Sequence, residues 1–322
     1  MKRFKSIFLS SNPKQIDYVY SAEQQKRIAE LTDLIPGVLT AENFDSMDLS
    51  ELEVMFSTWG MMNFTEEQFA GMPNLKAVFY AAGATDAFAR PLLAHNVKLS
   101  SAWKANAIPV AEVVVAQIIL SLKNYFTNTA ECKSFEGWRS ARRGPGIYGE
   151  TVALIGAGAI SARVREMLKA YSLNVIVIPS RPERRTISLE EAFRTAYVVS
   201  NHLPNREDNK HVLTKEMFAS MREGATFINT GRGAQVDEAG LCEVMKNRPD
   251  LTALLDVTCP EPPENGSELY SLPNIHLSSH IAGSLNDEVH RMAEYMAKEF
   301  EKHENGQSSP YEVTLKMLET MS

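Results

Sequence analysis

The chain is poor in cysteine and carries no excess of positive charge, and both absences exclude classes of function. Its cysteines, Cys132, Cys242 and Cys259, form no CxxC pair and no zinc-ligand spacing. We therefore expect no disulfide framework and no metal site, and we expect all three to be small buried residues in a reducing compartment. Lysine and arginine number 33 against 40 acidic residues, for a net charge of −7. This balance disfavours nucleic acid and anionic membranes, since both bind to basic surfaces.

Long apolar runs are also lacking. No stretch approaches the roughly 20 consecutive apolar residues of a membrane span. The basic opening Met1-Lys2-Arg3 precedes an apolar run that is too short for a signal peptide, so we interpret this region as leading into a first strand. We expect a cytoplasmic protein, and its 322 residues are enough for two domains with full cores.

Short apolar runs alternate with helical patterns along the chain, which predicts an α/β fold with parallel sheets covered by helices. In the first hundred residues the predicted strands are 6–10, 52–58, 75–81 and 97–101, and the predicted helices are 22–34 and 65–72. A long apolar helical pattern over 106–133 is expected to pack between domains or against a second subunit, so we predict a homodimer. The basic run 139–146 is interpreted as a solvated loop.

A second α/β series begins at Thr151. Its predicted strands are 152–155, 175–178, 197–201, 225–229, 251–257 and 275–279. A last helical pattern over 286–302 is expected to return the chain to the first domain.

A glycine turn joins the first strand of this second series to a helix. Gly156 allows a tight turn, and Gly158 leaves room for a pyrophosphate at the helix N-terminus, where Ala159 and Ile160 follow. Ser161 stands where a dinucleotide fingerprint has its third glycine, and it is small enough to keep the helix close to the strand. An ordinary strand-to-helix turn without a ligand is the alternative interpretation.

The next strand ends in Ile178-Pro179-Ser180-Arg181, without the acidic residue that binds the ribose hydroxyls of NAD. A 2′-phosphate repels a carboxylate and is bound by an arginine and a hydroxyl donor. Ser180 and Arg181 therefore favour NADP(H) over NAD(H). The alternative is an exposed basic loop near the site.

Arg232, Glu261 and His280 each follow one of the last three predicted strands. The carboxyl ends of parallel strands meet at one edge of a sheet, where α/β proteins bind ligands. An arginine grips a carboxylate with two parallel hydrogen bonds, a histidine moves a proton near neutral pH, and a glutamate orients that histidine. Hydride transfer on a 2-oxo or 2-hydroxy acid requires this combination. Each residue alone has a plainer interpretation, as an ion-pair partner, a loop residue or a structural histidine.

These residues resemble the D-isomer-specific 2-hydroxyacid dehydrogenases, and in particular the glyoxylate and hydroxypyruvate reductases. Ser279 stands where that family usually has proline before its histidine. The similarity covers nearly the whole chain and rests on motifs in the right order: Asn106-Ala107, Val110-Ala111-Glu112, Gly149-Glu150-Thr151-Val152, His202-Leu203-Pro204, Asn229-Thr230-Gly231-Arg232-Gly233, Asp256-Val257, Glu261-Pro262 and His280-Ile281-Ala282-Gly283.

The resemblance implies two Rossmann-like or flavodoxin-like domains with the active site in the cleft between them. The substrate domain would comprise residues 1–103 and 292–322, and the dinucleotide domain residues 104–291. Arg232 and the backbone of Ala82 and Gly83 would hold the substrate, His280 would be the acid–base group, and Glu261 would orient it. Asp256 would contact the nicotinamide carboxamide, and the remaining cofactor contacts would come from Val110, Leu203, Pro204, Thr230 and Gly231.

Two other functions stay open on the sequence. One is a dehydrogenase of the same fold that acts on formate or phosphite. The other is a nucleotide-sensing protein like the C-terminal-binding corepressors, which the acidic charge and the lack of recruiting tails disfavour. Turnover of glyoxylate or hydroxypyruvate separates an enzyme from a sensor.

Overall fold

The computed structural model describes residues 3–319, which divide into two compact α/β units. The first unit contains the described residues up to Ala107 and those from Ser284 onward. Its parallel sheet has the order β2-β1-β3-β4-β5. These strands are β1 (Lys5–Leu9), β2 (Asp33–Leu39), β3 (Val54–Ser57), β4 (Ala77–Tyr80) and β5 (Lys98–Ser101).

The second unit, Ile108–Gly283, has a six-stranded parallel sheet in the order β11-β10-β9-β8-β6-β7. Its strands are β6 (Thr151–Ile155), β7 (Asn174–Ile178), β8 (Val198–Asn201), β9 (Thr226–Asn229), β10 (Thr252–Leu255) and β11 (Ile275–Leu277). Both sheets being parallel, the predicted two-domain α/β architecture is confirmed.

Helices connect the strands, as parallel pairing requires. In chain order they are α1 (Lys14–Val19), α2 (Ala22–Leu31), α3 (Glu66–Ala70), α4 (Ala89–Ala94), α5 (Trp103–Leu122), α6 (Tyr125–Glu131), α7 (Phe135–Ser140), α8 (Ala159–Leu168), α9 (Leu189–Thr195), α10 (Lys215–Ala219), α11 (Glu238–Asn247), α12 (Asp287–Glu304) and α13 (Leu315–Leu318).

Each sheet has a hydrophobic cluster on both of its faces. Successive side chains of a strand point to opposite sides, so one strand contributes to both clusters. In β6, Ala153 and Ile155 join one hydrophobic cluster, while Val152 and Leu154 join the other. Strands covered on both faces leave mainly their ends available for polar side chains.

Helix α12 belongs to the first unit, where its residue Phe300 packs on Phe56 of β3 and Phe79 of β4. The structure divides the chain after Ala107 and after Gly283, whereas the sequence placed the divisions after residues 103 and 291. A division after residue 291 would cut α12, which is one continuous helix with Val289 in the core of the first unit.

The predicted helix 22–34 is confirmed over residues 22–31 and is wrong for its last three residues. Helix α2 ends at Leu31, and β2 begins at Asp33. Pro36 and Gly37 concealed this strand, because both residues are unfavourable in sheet interiors. The structure accommodates them because β2 is the edge strand of its sheet.

The long helical pattern over 106–133 is two helices, α5 and α6, separated by Asn124 in the left-handed conformation (φ 55°). Among the described residues, α5 is long and apolar enough to cross a membrane, contrary to the expectation that no such stretch exists. However, 56% of that stretch is buried within the protein, and a core helix meets the same criteria. The cysteines also differ from expectation: Cys242 is buried, Cys132 is half-buried and Cys259 is exposed.

Candidate functional site

The site residues of the second unit lie at the carboxyl edge of its sheet. Strands β9, β10 and β11 are neighbours, and Arg232, Glu261 and His280 occupy the segments that directly follow them. The glycine turn follows β6, Ser180 follows β7, and Leu203 follows β8. The topology therefore gathers residues that are far apart in the sequence, as expected for a parallel sheet.

His280 and Glu261 form a direct pair. The imidazole Nδ1 lies 2.6 Å from the Glu261 Oε1, and about half of each side chain is exposed (51% and 42%). A carboxylate on Nδ1 fixes the tautomer of the ring and leaves Nε2 for a substrate. The predicted pairing of these two residues is present, and its exposure leaves the ring accessible.

The backbone around His280 is held by Asp256, which is buried at the end of β10. Asp256 Oδ1 accepts hydrogen bonds from Ser278 Oγ (2.6 Å) and Ile281 N (2.8 Å), and Oδ2 accepts one from Ala282 N (3.0 Å). Its carbonyl oxygen also accepts a bond from His280 N (3.1 Å). These bonds stabilise the left-handed backbone of His280 (φ 56°), which is unfavourable for a residue with a Cβ. The sequence assigned Asp256 to the nicotinamide, and the structure shows it shaping the His280 loop.

A buried amide network shapes the Arg232 turn. Asn201 Nδ2 donates to Asn229 Oδ1 (2.9 Å) and to Gln235 Oε1 (2.7 Å). These oxygens also accept bonds from Gly231 N (3.1 Å) and Arg232 N (3.2 Å). Neither Asn201 nor Gln235 was predicted as a site residue. The position of Asn201 at the end of the buried strand β8 is a usable signal, whereas Gln235 lies in the turn after β9.

The same network reaches the loop after β8. Gln235 Nε2 donates to the carbonyl oxygens of Leu203 and Pro204, both at 2.9 Å. The Arg232 guanidinium donates through Nη1 to the carbonyl oxygen of Gly231 (2.8 Å) and is half-buried. The turn that carries Arg232 and the predicted cofactor-lining segment are thus one hydrogen-bonded structure.

The glycine turn has the geometry of a phosphate cradle. Gly156 adopts φ 101°, and a Cβ at this position would collide with the carbonyl group of His202. Gly158 is the N-cap of the ten-residue helix α8, and a Cβ added there would meet nothing within 4 Å. Ala159 and Ile160 are the first residues of α8. An open space in front of free helix N–H groups fits a pyrophosphate.

His202 packs against this turn through its backbone carbonyl group, and its side chain has a structural role. Its Nε2 lies 3.0 Å from Ser200 Oγ, and its Nδ1 lies 3.2 Å from Thr230 Oγ1. Burial lowers the pKa of His202 to about 3, so the ring is neutral at physiological pH. His202 thus contacts Gly156 through its backbone carbonyl group and Thr230, which the resemblance assigned to the cofactor, through its ring. Val110 is buried in α5 among residues of the same hydrophobic cluster as Leu154.

The end of β7 carries a cluster of arginines around one carboxylate. Arg206 donates to Asp208 through Nε (2.7 Å) and Nη2 (2.5 Å), and its Nη1 lies 3.3 Å from Ser180 Oγ. Arg181 Nη1 lies 3.3 Å from the same Asp208. The side chain of Arg206 is only 9% exposed, against 35% for Arg181. The sequence analysis missed Arg206, because nothing local in the chain indicates that the loop after β8 returns to Ser180.

The remaining predicted residues, Ala82 and Gly83, belong to the first unit and follow β4. Ser101 Oγ lies 2.8 Å from the carbonyl oxygens of both residues, which ties this loop to the end of β5. Asn106 lies against Gly83, and its Oδ1 accepts a hydrogen bond from Ser284 N (3.0 Å). The loop is therefore held in one conformation with its carbonyl groups occupied.

The chain matches the family described as D-isomer specific 2-hydroxyacid dehydrogenase, NAD binding domain, over residues 115–282. It is 30% identical over 243 residues to a Bacillus subtilis protein named as a 2-hydroxyacid dehydrogenase, covering 68% of each chain. It is 28% identical over 204 residues to the hydroxypyruvate reductase of Thermotoga maritima, covering 61% of this chain and 67% of that protein. Among solved structures, the apo D-mandelate dehydrogenase of Rhodotorula graminis has the same fold, with a TM-score of 0.79, 17% identity and coverage of 96% and 97%.

The family match spans more than half of the chain and includes the glycine turn, Arg232, Glu261 and His280. The chain therefore belongs to the D-isomer-specific 2-hydroxyacid dehydrogenases, oxidoreductases that transfer a hydride between NAD(P)H and a 2-oxo or 2-hydroxy acid.

Proposed function

We propose that this protein interconverts a small, unphosphorylated 2-oxo acid and its D-2-hydroxy acid with NADP(H) as the preferred cofactor. The observation that carries the proposal is the 2.6 Å contact between His280 and Glu261 at the same sheet edge as Arg232 and the open Gly158 turn. In this proposal His280 is the proton donor, Arg232 the anion-binding group and the Gly158 turn the phosphate cradle, and their position at one sheet edge supports it.

His280 is the acid–base group in this proposal. In the reducing direction its protonated ring gives the Nε2 proton to the oxygen formed at C2, and in the oxidising direction the neutral ring takes that proton back. Glu261 holds the ring by Nδ1 and stabilises the positive charge of the imidazolium. Arg232 binds the substrate carboxylate with its planar fork and fixes the orientation of C2. The bound nicotinamide supplies or accepts the hydride.

The preference for NADP(H) rests on the cluster after β7. Ser180 offers a hydroxyl group that lies 3.3 Å from Arg206, and Arg206 and Arg181 both contact Asp208. Asp208 holds both guanidinium groups in place while it cancels only one of their two charges. The remaining positive charge favours a 2′-phosphate over a ribose hydroxyl.

The substrate class rests on the first unit. Trp59, Met61 and Met62 are partly buried and pack against its hydrophobic core, in the segment that follows β3. Apolar, uncharged side chains in such a segment favour a small substrate without a phosphate. Glyoxylate and hydroxypyruvate fit this description.

We also propose that the protein is a homodimer formed through residues 125–148. Phe135 and Trp138 are 68% and 66% exposed, and they lie three residues apart on α7, so they share one face of that helix. Tyr125 and Tyr148 in the same segment are also exposed. Single exposed aromatic residues are common, but several in one short segment indicate a contact surface.

The proposed function can be tested by measuring turnover of a panel of 2-oxo acids with NADPH and with NADH. We expect turnover of glyoxylate or hydroxypyruvate by the parent protein and a loss of turnover in His280→Ala with cofactor binding retained. Binding of NADPH without turnover of any 2-oxo acid would contradict the enzymatic proposal and favour a nucleotide sensor. Light scattering of the parent and of Trp138→Ser tests the dimer, which the variant should weaken.

A further inference from the structure

Glu238 makes a contact that joins two parts of the candidate site. It is the first residue of α11, and the preceding Asp237 caps this helix by accepting a bond from Gly240 N. The Glu238 Oε1 accepts a hydrogen bond of 2.7 Å from the backbone N–H of Cys259. Cys259 lies two residues before Glu261, so this bond anchors the loop that carries the partner of His280.

The same peptide is also the surface on which the Arg232 turn rests. A Cβ at Gly233 would overlap the Thr258 carbonyl group and the Cys259 nitrogen. Within the loop, Thr258 Oγ1 donates to the carbonyl oxygen of Pro260 (2.9 Å). The loop therefore contacts the Arg232 turn at the Thr258–Cys259 peptide, and Glu238 holds the N–H group of that same peptide.

We propose that Glu238 is a positioning residue whose carboxylate holds the loop at Cys259 and thereby aims Glu261 at His280. The proposal rests on the proposed function, since it assigns to Glu238 an effect on the acid–base pair. Glu238 itself does not touch the reacting atoms. A shift of the reacting groups by about 1 Å is enough to reduce turnover by roughly a hundredfold.

The charge of Glu238 makes this anchor sensitive to pH. Burial raises the pKa of Glu238 to about 7. The hydrogen bond from the Cys259 N–H lowers this pKa, but its effect is smaller than that of burial. The titratable groups near it are Cys242, one turn further along α11, and Glu268, which lies close to Cys242. Burial raises the pKa of Cys242 to about 11, so this thiol stays neutral, and Glu268 is a second negative group. Ionised Glu238 is the stronger acceptor, and the anchor weakens as the pH falls through about 7.

The test compares Glu238→Ala, which removes the acceptor, with Glu238→Gln, which keeps an acceptor oxygen without titrating. Glu243→Gln is the matched control, because Glu243 lies on the same helix and pairs instead with Lys215 (2.5 Å). For Glu238→Ala we expect kcat for 2-oxo acid reduction to fall by about tenfold or more, with an unchanged Kd for NADPH. For Glu238→Gln we expect a kcat between those of the parent and Glu238→Ala, close to that of the parent below pH 7, because a neutral oxygen accepts more weakly than a carboxylate. The acid limb of the pH profile should disappear in this variant. The rest of the pH profile should remain.

A double-mutant cycle with Glu261→Gln decides whether Glu238 acts through Glu261. If it does, Glu238→Ala with Glu261→Gln is no slower than the slower single variant. The proposal would be overturned if the losses of kcat in the two single variants multiplied in the double variant. It would also be overturned by an unchanged kcat in Glu238→Ala, or by a loss of kcat in Glu243→Gln equal to that in Glu238→Ala. If Glu238→Ala does not fold, the pH profile of Glu238→Gln and its own cycle with Glu261→Gln give the same decision.

Amide exchange of Cys259 in the protein without substrate provides a readout that does not need activity. Loss of the Glu238 acceptor should speed this exchange by about tenfold or more, while Glu243→Gln leaves it unchanged. An inactive parent with a protected Cys259 amide would refute the proposed function and not the anchor. An active parent with a Cys259 amide unaffected by Glu238→Ala would refute the anchor alone.

Discussion

Replacement of Arg206 by alanine is the most direct test of how the protein selects its cofactor. Arg206 is 9% exposed and is oriented by two bonds to Asp208, whereas Arg181 is 35% exposed and lies 3.3 Å from the same carboxylate. A buried charge-assisted hydrogen bond contributes about 1.5–3 kcal/mol, and a solvent-screened one contributes about 0.2–1 kcal/mol.

These magnitudes give different expectations for the two arginines. We expect Arg206→Ala to reduce kcat/KM for NADPH by roughly 10- to 150-fold and Arg181→Ala by roughly 2- to 5-fold. NADH lacks the 2′-phosphate, so its kcat/KM should change by less than about threefold in both variants. The ratio of the two effects follows from the exposure of the two side chains.

The assay is the steady-state oxidation of each reduced nicotinamide at saturating 2-oxo acid, followed by absorbance. Arg184→Ala is the matched control, because Arg184 is an exposed arginine on the same loop as Arg181. Ser180→Asp should move the preference toward NADH, since it places an acid where the ribose hydroxyls bind. Equal losses with both cofactors, a larger effect of Arg184 than of Arg206, or a parent that prefers NADH would refute the reasoning.

Three further predictions concern the substrate site and stability. Arg232→Lys should lose at least about tenfold in kcat/KM with an unchanged Kd for NADPH, because a point charge replaces a planar fork; near-normal turnover would show that another group binds the carboxylate. His280→Ala should lose about 10²- to 10⁴-fold in kcat, and a loss below tenfold would remove His280 as the acid–base group. In the folded protein the pKa of Glu238 is raised from 4.5 to about 7, so its stabilising contribution is present below 4.5 and is lost as the pH rises to 7. Glu238→Gln should therefore unfold at a higher temperature than the parent at pH 8. The expected difference is about 2–4 °C, which corresponds to about 1 kcal/mol after allowance for solvent screening, and it should shrink toward pH 5. A difference that does not depend on pH would contradict the titration of Glu238.

The Glu238 prediction links stability to function. A carboxylate that is costly to ionise inside the folded protein is replaced at little cost by glutamine, so stability alone gives no reason for an acid at this position. If Glu238→Gln is more stable but is slower above pH 7 and has no acid limb, then the acid provides pH control of the anchored loop. Such an exchange of stability for function is common at active sites.

Much of the fold was predictable because it depends on local patterns. Runs of apolar residues alternating with helical spacing predicted two parallel-sheet units, and the strand ends located Arg232, Glu261 and His280 correctly relative to the sheet. The failures have identifiable physical causes. Pro36 and Gly37 made residues 33–39 look unlike a strand, because these residues are tolerated only at the edge of a sheet, and the edge position cannot be read from the segment itself. Asn124 ended α5 by a left-handed residue inside an otherwise helical pattern.

The residue types available for anion binding and proton transfer, and their order after the strands, can be read from the amino-acid chain. Which of these side chains meet depends on the folded sheet and its loops. The contacts of Arg206 with Ser180 and of Glu238 with Cys259 join residues 26 and 21 positions apart. The motif assigned Asp256 to the nicotinamide, and the tertiary structure adds its hydrogen bonds to the backbone that follows His280. Spacing along the chain predicts neighbours within one helix or strand, whereas contacts between loops depend on strand order and loop conformation, which local spacing does not encode.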